Sequence, residues 1–412
     1  MRSICPRISL KEVDYMKNFV FISPNFPTNY WYFCKQLRAN GMRVLGIGDC
    51  PYDELLPELR FALHEYYKVS NLENYDEVHR AVAFFIHKYG RIDYLESNNE
   101  YWLMQDARLR TDFNICSGFK EADMEPMKLK SAMKAYYERA GVPAARYHLV
   151  EGWDDAYAFV QKVGYPVVAK PDNGVGANNT YKIKSDEDLR WFIDNKDDNI
   201  YIMEEFVQGY VQTYDAIINS KGEPLFESGN ITPNSCMDVV NEGGECTYYI
   251  VKEMPEKILK ADRAVAKEYG VKSRFVHFEF FVLRQDQEGL GKEGDVIGLE
   301  VNMRPSGGYT PEMYNYAYET DVYKIWADMI AFDCNTLPMD RPHHYSAFVG
   351  RRDYRNYRMS HDDILRQYGH CLKMTSRVPD ALSALMANQM YVCNFDNEDE
   401  MWQYYRDLIA TW

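Results

Sequence analysis

Apolar and polar positions alternate with period two along His277-Phe278-Glu279-Phe280-Phe281 and again along Gly298-Leu299-Glu300-Val301-Asn302-Met303-Arg304. That period predicts two β-strands, with Glu300, Asn302 and Arg304 on one face of the second. The turn-prone segment from Arg284 to Asp295 lets the two pair as a hairpin. Upstream, strands over Asn18–Ile22, Arg43–Ile47 and Ile92–Glu96 alternate with helices over 29–40, Asn74–Lys88 and Glu100–Arg108. Such alternation predicts an open parallel sheet, whose ligands gather at the carboxyl ends of its strands.

A helix over Lys128–Ala140 closes at Gly141-Val142-Pro143, and Tyr147–Val150 leads into a helix over Trp153–Val163. An apolar strand beginning at Tyr165 then reaches Lys170 and a loop bearing Gly174 and Gly176. The strand Tyr201–Met203 runs into Glu204-Glu205-Phe206-Val207-Gln208-Gly209, and strands Thr213–Asn219 and Pro224–Gly229 flank a turn. Residues 231–246 are polar and suit a loop. Helices are predicted over Pro255–Tyr269 and Met313–Ile330, separated by the hairpin and by Pro305-Ser306-Gly307-Gly308-Tyr309. Tyr391–Phe395 and Glu398–Ile409 read as a final strand and helix packed on the core.

The 412 residues predict two or three domains. A net charge of −15 argues against nucleic-acid and anionic-membrane partners, and no apolar run is long enough to span a bilayer. The first residues lack the apolar stretch of a secretory signal, and Met16, just before the first strand, is an alternative start. The 9 cysteines form no CxxC pair, so reduced thiols in a cytoplasmic protein are expected. Gly46-Ile47-Gly48 begins a dinucleotide signature that Pro51 breaks. His343-His344 is too short for a metal site. The run Arg351 to Arg358 interleaves arginine with tyrosine and reads as a solvated or ion-paired face, with a nucleic-acid surface or an arginine clamping a substrate carboxylate as the alternatives.

Glu279, Glu300 and Asn302 offer oxygen donors of the kind Mg²⁺ takes, beside an arginine suited to phosphate or carboxylate. Read alone, a salt-bridged surface strand fits these residues as well. Lys170 with Gly174 and Gly176 suits phosphate oxygens, and a plain β-turn explains the glycines equally. Glu100 reads as a carboxylate at a helix N-terminus, with a substrate contact as the alternative.

In their order, these elements resemble the ATP-grasp superfamily, over roughly residues 115–330. The resemblance implies an α/β chain: an ATP-grasp fold, two α+β subdomains clasping ATP, preceded by an open parallel-sheet α/β domain. The expected divisions are 1–115, 116–200, 201–333 with the metal site, and a C-terminal extension over 334–412. Lys130 and Lys170 match the family's phosphate-holding basic residues, and Gly174 and Gly176 its phosphate-covering loop. The backbone of Glu205 and Val207, in the segment opening at Glu204, would meet the adenine edge. Gln212 stands near the family's ribose-binding glutamate. Glu279, Glu300 and Asn302 match the magnesium ligands, with Mn²⁺ able to substitute. Arg304 matches the arginine that contacts the transferred phosphate or the substrate. Gly307 and Gly308 either stabilise an oxyanion or form a tight turn. The implied chemistry is ADP-forming: a small carboxylate becomes an acyl phosphate and is joined to an amine. The Gln-Val-Glu-His run of biotin carboxylases is absent near Arg304, which makes a carboxylase, like a non-catalytic ATP-binding protein, the alternative. Homodimerisation is left open.

Overall fold

The computed structural model describes residues 15–174, 179–233 and 244–412. Strands β1 (Asn18–Ile22), β2 (Arg43–Gly48), β3 (Glu65–Lys68) and β4 (Tyr94–Glu96) form a parallel sheet in the order β3-β2-β1-β4. Strand β1 is buried throughout because side chains from both of its faces enter cores. Phe19 and Phe21 pack with Phe33 and Leu37 of the helix Trp31–Ala39. Val20 and Ile22 pack with Val78, Val82 and Phe85 of the helix Tyr75–Tyr89. A strand covered on both faces reads as a continuous apolar run, as this one does.

A second sheet is antiparallel: β5 (Tyr147–Val150), β6 (Val167–Pro171), β7 (Tyr181–Ile183) and β8 (Tyr201–Glu205), ordered β5-β8-β6-β7. Val167, Ala169 and Met203 bury one face against the helices Trp153–Val163 and Asp186–Asn195. Period two therefore turns Lys170 and Glu204 to the other face.

Among the described residues the third sheet has nine strands and is also antiparallel. It comprises β9 (Gly209–Ile218), β10 (Pro224–Ser228), β11 (Asn230–Thr232), β12 (Cys246–Ile250), β13 (Arg274–Leu283), β14 (Val296–Asn302), β15 (Tyr345–Arg351), β16 (Leu372–Arg377) and β17 (Gln389–Phe395). Its order is β14-β13-β9-β11-β12-β15-β17-β16, with β10 on β9. The C-terminal strands thus continue the central sheet through the pairing of β12 with β15.

Two expectations need correction. Residues 231–246 are not all loop, since β11 and β12 take their ends. The helix expected over Met313–Ile330 is two helices, Thr310–Ala317 and Val322–Phe332. Glu319 at φ +45° breaks it, and the Asp321 side chain caps the second helix by accepting from Lys324 N.

The helix Lys130–Arg139 lies against β14. A Cβ on Gly298 would come within 2.6 Å of the Tyr137 ring, so this strand position has no room for a side chain. Gly298 N donates to Pro143 O at 2.7 Å, tying the end of that helical segment to the strand. Among the described residues, no helix is long and apolar enough to cross a membrane.

Candidate active site

The open face of the second sheet and one end of the third carry the charged residues singled out from the sequence. On β6 and β8, the Lys170 ammonium lies 2.7 Å from Glu204 Oε2, and Lys134 contacts the other oxygen of the same carboxylate. Burial alone would raise the Glu204 pKa, but the two lysines outweigh it and pull it down to about 2. Burial likewise opposes the Lys170 charge, and Glu204, with Glu300 and Glu279, overcomes it, so the pKa rises. Lys134 goes the other way: burial, with Lys170 and Lys130 nearby, lowers its pKa despite Glu204.

Lys130 bridges the two sheets. Its ammonium is 3.1 Å from Glu300 Oε1 and donates to Gly174 O at 3.0 Å. Asp172, just past β6, accepts from Ser131 N and Ser131 Oγ at 2.7 Å each, which satisfies the amino end of the lysine-bearing helix.

On the third sheet the register aligns two rows across β9, β13 and β14: Thr213–Glu279–Glu300 and Asp215–His277–Asn302. Directly paired residues share a face, so Glu279, Glu300 and Asn302 come together as expected. The register slips at Leu299, because Phe280 pairs with Gly298 while Glu279 pairs with Glu300. A bulge of this kind re-aims the side chain beside it. The Glu279 side chain is 29% exposed, open to the cleft. Burial raises its pKa, and His277, Arg304 and Lys170 more than reverse that. His277 is buried, and Asp215 and Glu279 outweigh the burial and raise its pKa to about 9.

Arg304 is not in the strand, which ends at Asn302, because Pro305 cannot extend the ladder. It still reaches the site: Nη2 donates to Asn302 Oδ1 at 3.3 Å, and Nε lies 3.4 Å from Glu100 Oε2. Glu100 Oε1 is 2.7 Å from Lys128 Nζ, so the end of β4 enters the site through an ion-paired carboxylate. Gly308 has φ +61°, its carbonyl accepts from Asn29 Nδ2, and a Cβ there would strike Met386. The tight-turn reading accounts for Gly308; at Gly307 there is open space around the Cβ position.

At the other end, Val207 is buried with Ala145, Leu283, Leu290 and Ile297 in a small apolar cluster. Glu205 holds Arg146 through both carboxylate oxygens, at 3.0 and 2.6 Å. Gln287 clamps the segment between them, donating to Phe206 O and accepting from Gln208 N.

Gln212 does not reach this face. It pairs with Phe280, one residue out of phase with Thr213 and Glu279, and its Nε2 lies 3.7 Å from Met254 Sδ. A one-residue difference puts a strand side chain on the opposite face, so the ribose role expected of it has no support. Gly176 lies outside the described residues. Sequence reading passed over Lys134, His277, Asp215 and Gln287. Lys134 stands one helical turn from Lys130 and His277 two strand positions from Glu279, spacings that put each on its neighbour's face.

No family model matches the chain. Its structure is similar to that of an L-amino acid ligase from Bacillus licheniformis, with TM-score 0.68 and 15% identity over 96% of this chain and 97% of that one. A phosphoribosylglycinamide synthetase from Anaerococcus prevotii gives 0.65 at 14% identity, covering 96% and 98%. The biotin carboxylase domain of Hydrogenobacter thermophilus 2-oxoglutarate carboxylase, in complex with MgADP, ADP and bicarbonate, gives 0.67 at 14%, covering 96% and 90%. With this likeness over nearly its whole length, the chain has the ATP-grasp fold.

Proposed function

We propose that the chain is an ATP- and magnesium-dependent ligase that activates a small carboxylate as an acyl phosphate and joins it to an amine, releasing ADP. The observation that carries this reading is the opposition of charges in one cleft. Lys170 faces it from one sheet, Glu279, Glu300 and Asn302 from the other, and Lys130 touches Glu300 at 3.1 Å.

Lys130 and Lys170 would hold the phosphates, beside Gly174, whose carbonyl accepts from Lys130. The segment from Glu204 through Glu205 to Val207, with its apolar cluster, would take the adenine. Glu279, Glu300 and Asn302 supply only oxygen donors, two of them carboxylates, which suits Mg²⁺ rather than a softer metal. When bound there, Mg²⁺ would neutralise charge on the phosphates. Arg304 presents a planar fork whose two arms can hold two oxygens of the activated carboxylate at once. Asn302 and Glu100 fix that fork from two sides. Gly307 follows it, with open space at its Cβ position, and would lie against the same group.

The test is a screen of carboxylate and amine pairs for ADP release, repeated with hydroxylamine in place of the amine. The expected result is hydroxamate and ADP in equal amounts with the correct carboxylate. AMP and pyrophosphate would mean adenylation instead and overturn the mechanism. ADP release that needs biotin and bicarbonate would make the protein a carboxylase.

A further inference from the structure

Two buried groups beside the proposed metal ligands touch neither the lysines nor Arg304. Asp215 is fully buried on β9. Its Oδ2 accepts from Thr213 Oγ1 at 2.5 Å, and its Oδ1 lies 2.8 Å from His277 Nδ1. Thr213 Oγ1 in turn accepts from Asn230 N at 2.9 Å. The other imidazole nitrogen, Nε2, is 3.2 Å from Glu279 Oε1. Both neighbours of the ring are carboxylates, so a ring that donates from both nitrogens satisfies both.

The charged row is local. On the same face of β13, Phe275 opposite Ile217 and Phe281 opposite Val211 are apolar. Burying an ion pair in a sheet is a poor source of stability, and an apolar row would serve the core as well. The polar row occurs only where the face meets Glu279, Glu300 and Asn302.

We propose that His277 is a positioning residue for the metal: braced by Asp215, it holds one oxygen of Glu279 and so aims the carboxylate into the cleft. The inference rests on the ligase reading, in which Glu279 is a magnesium ligand. Partners behind a ligand commonly change metal affinity 10- to 100-fold when removed.

The experiment uses Mn²⁺ as the probe, titrated into the full chain with saturating ADP and followed by electron paramagnetic resonance. His277→Leu is expected to weaken Mn²⁺ binding by about 10- to 100-fold, with ADP affinity in the absence of metal unchanged. His277→Gln, whose amide can still donate to Glu279, is expected to recover most of the loss. Asp215→Asn, which keeps the ring but removes the charge that braces it, is expected to fall between wild type and His277→Leu. It also serves as the deciding variant if His277→Leu does not fold. Mn²⁺ affinity unchanged in the folded variants, even with a lowered melting temperature, would make the row structural and overturn the inference alone. Failure of the wild type to bind Mn²⁺ with ADP would overturn the ligase reading as well.

Discussion

On the wall built by β6 and β8, Glu204 is shared by Lys170 and by Lys134 of the adjoining helix, whereas on the wall built by β9, β13 and β14 two carboxylates, Asp215 and Glu279, share the His277 imidazole. Lys134 and Lys170 outnumber Glu204 in the first cluster; Asp215 and Glu279 outnumber His277 in the second, while Glu300 beside them pairs with Lys130. Lys130 joins the two through Glu300. Neither wall neutralises itself, and each surplus is of the sign that a magnesium–polyphosphate complex would cancel. The difference also lies in depth. Glu204 is sealed by its lysines, while Glu279 remains open on one side.

The sharpest break is on the acidic wall. Glu300→Gln should abolish nearly all turnover while leaving the fold intact, because an amide is a poorer magnesium ligand than a carboxylate. Full turnover at ordinary magnesium concentration would show that the wall is structural. Lys170→Ala should act on the basic wall, weakening ATP binding by about 1.5–3 kcal/mol through loss of a charge-assisted contact. Calorimetry returning wild-type affinity would remove Lys170 from the nucleotide site. The smallest effect concerns acid. The Glu204 pKa is depressed to about 2 in the folded chain, so its stabilising contribution is present above the ordinary glutamate value and fades as pH falls toward about 2. Glu204→Gln should flatten that part of the acid-unfolding curve, and a slope equal to that of wild type would count against the paired-lysine account.

Elements with strong local punctuation were legible in the sequence. The helix Trp153–Val163 lies between Gly152 and Gly164, and Glu398–Ile409 follows an Asn397 cap. The metal-candidate strands were legible because charged and amide side chains alternate with apolar ones along the hairpin. What escaped depends on partners far along the chain. Tyr345–Arg351 joins the central sheet only by meeting Cys246–Ile250, a pairing that no local pattern encodes. Gln212 failed for a different reason. Proximity in sequence to a motif says nothing about phase, and Thr213, one residue on, is the side chain that shares a face with Glu279. His277 was overlooked because a lone histidine in an apolar run gains meaning only from Asp215 across the sheet.

The close approach of Gly298 to Tyr137 works as the spine of a book. The helix Lys130–Arg139 is bound to one cover by Asp172 and by Lys134 on Glu204, and to the other by Tyr137 packed on β14. Ala144 bridges directly to Gly298 just before β5 begins, so β5 lies along the binding. In the order β5-β8-β6-β7, the page edge is β7. Rocking of the small sheet would therefore part the covers least at β5 and most at β7, where Lys182 stands over Phe206.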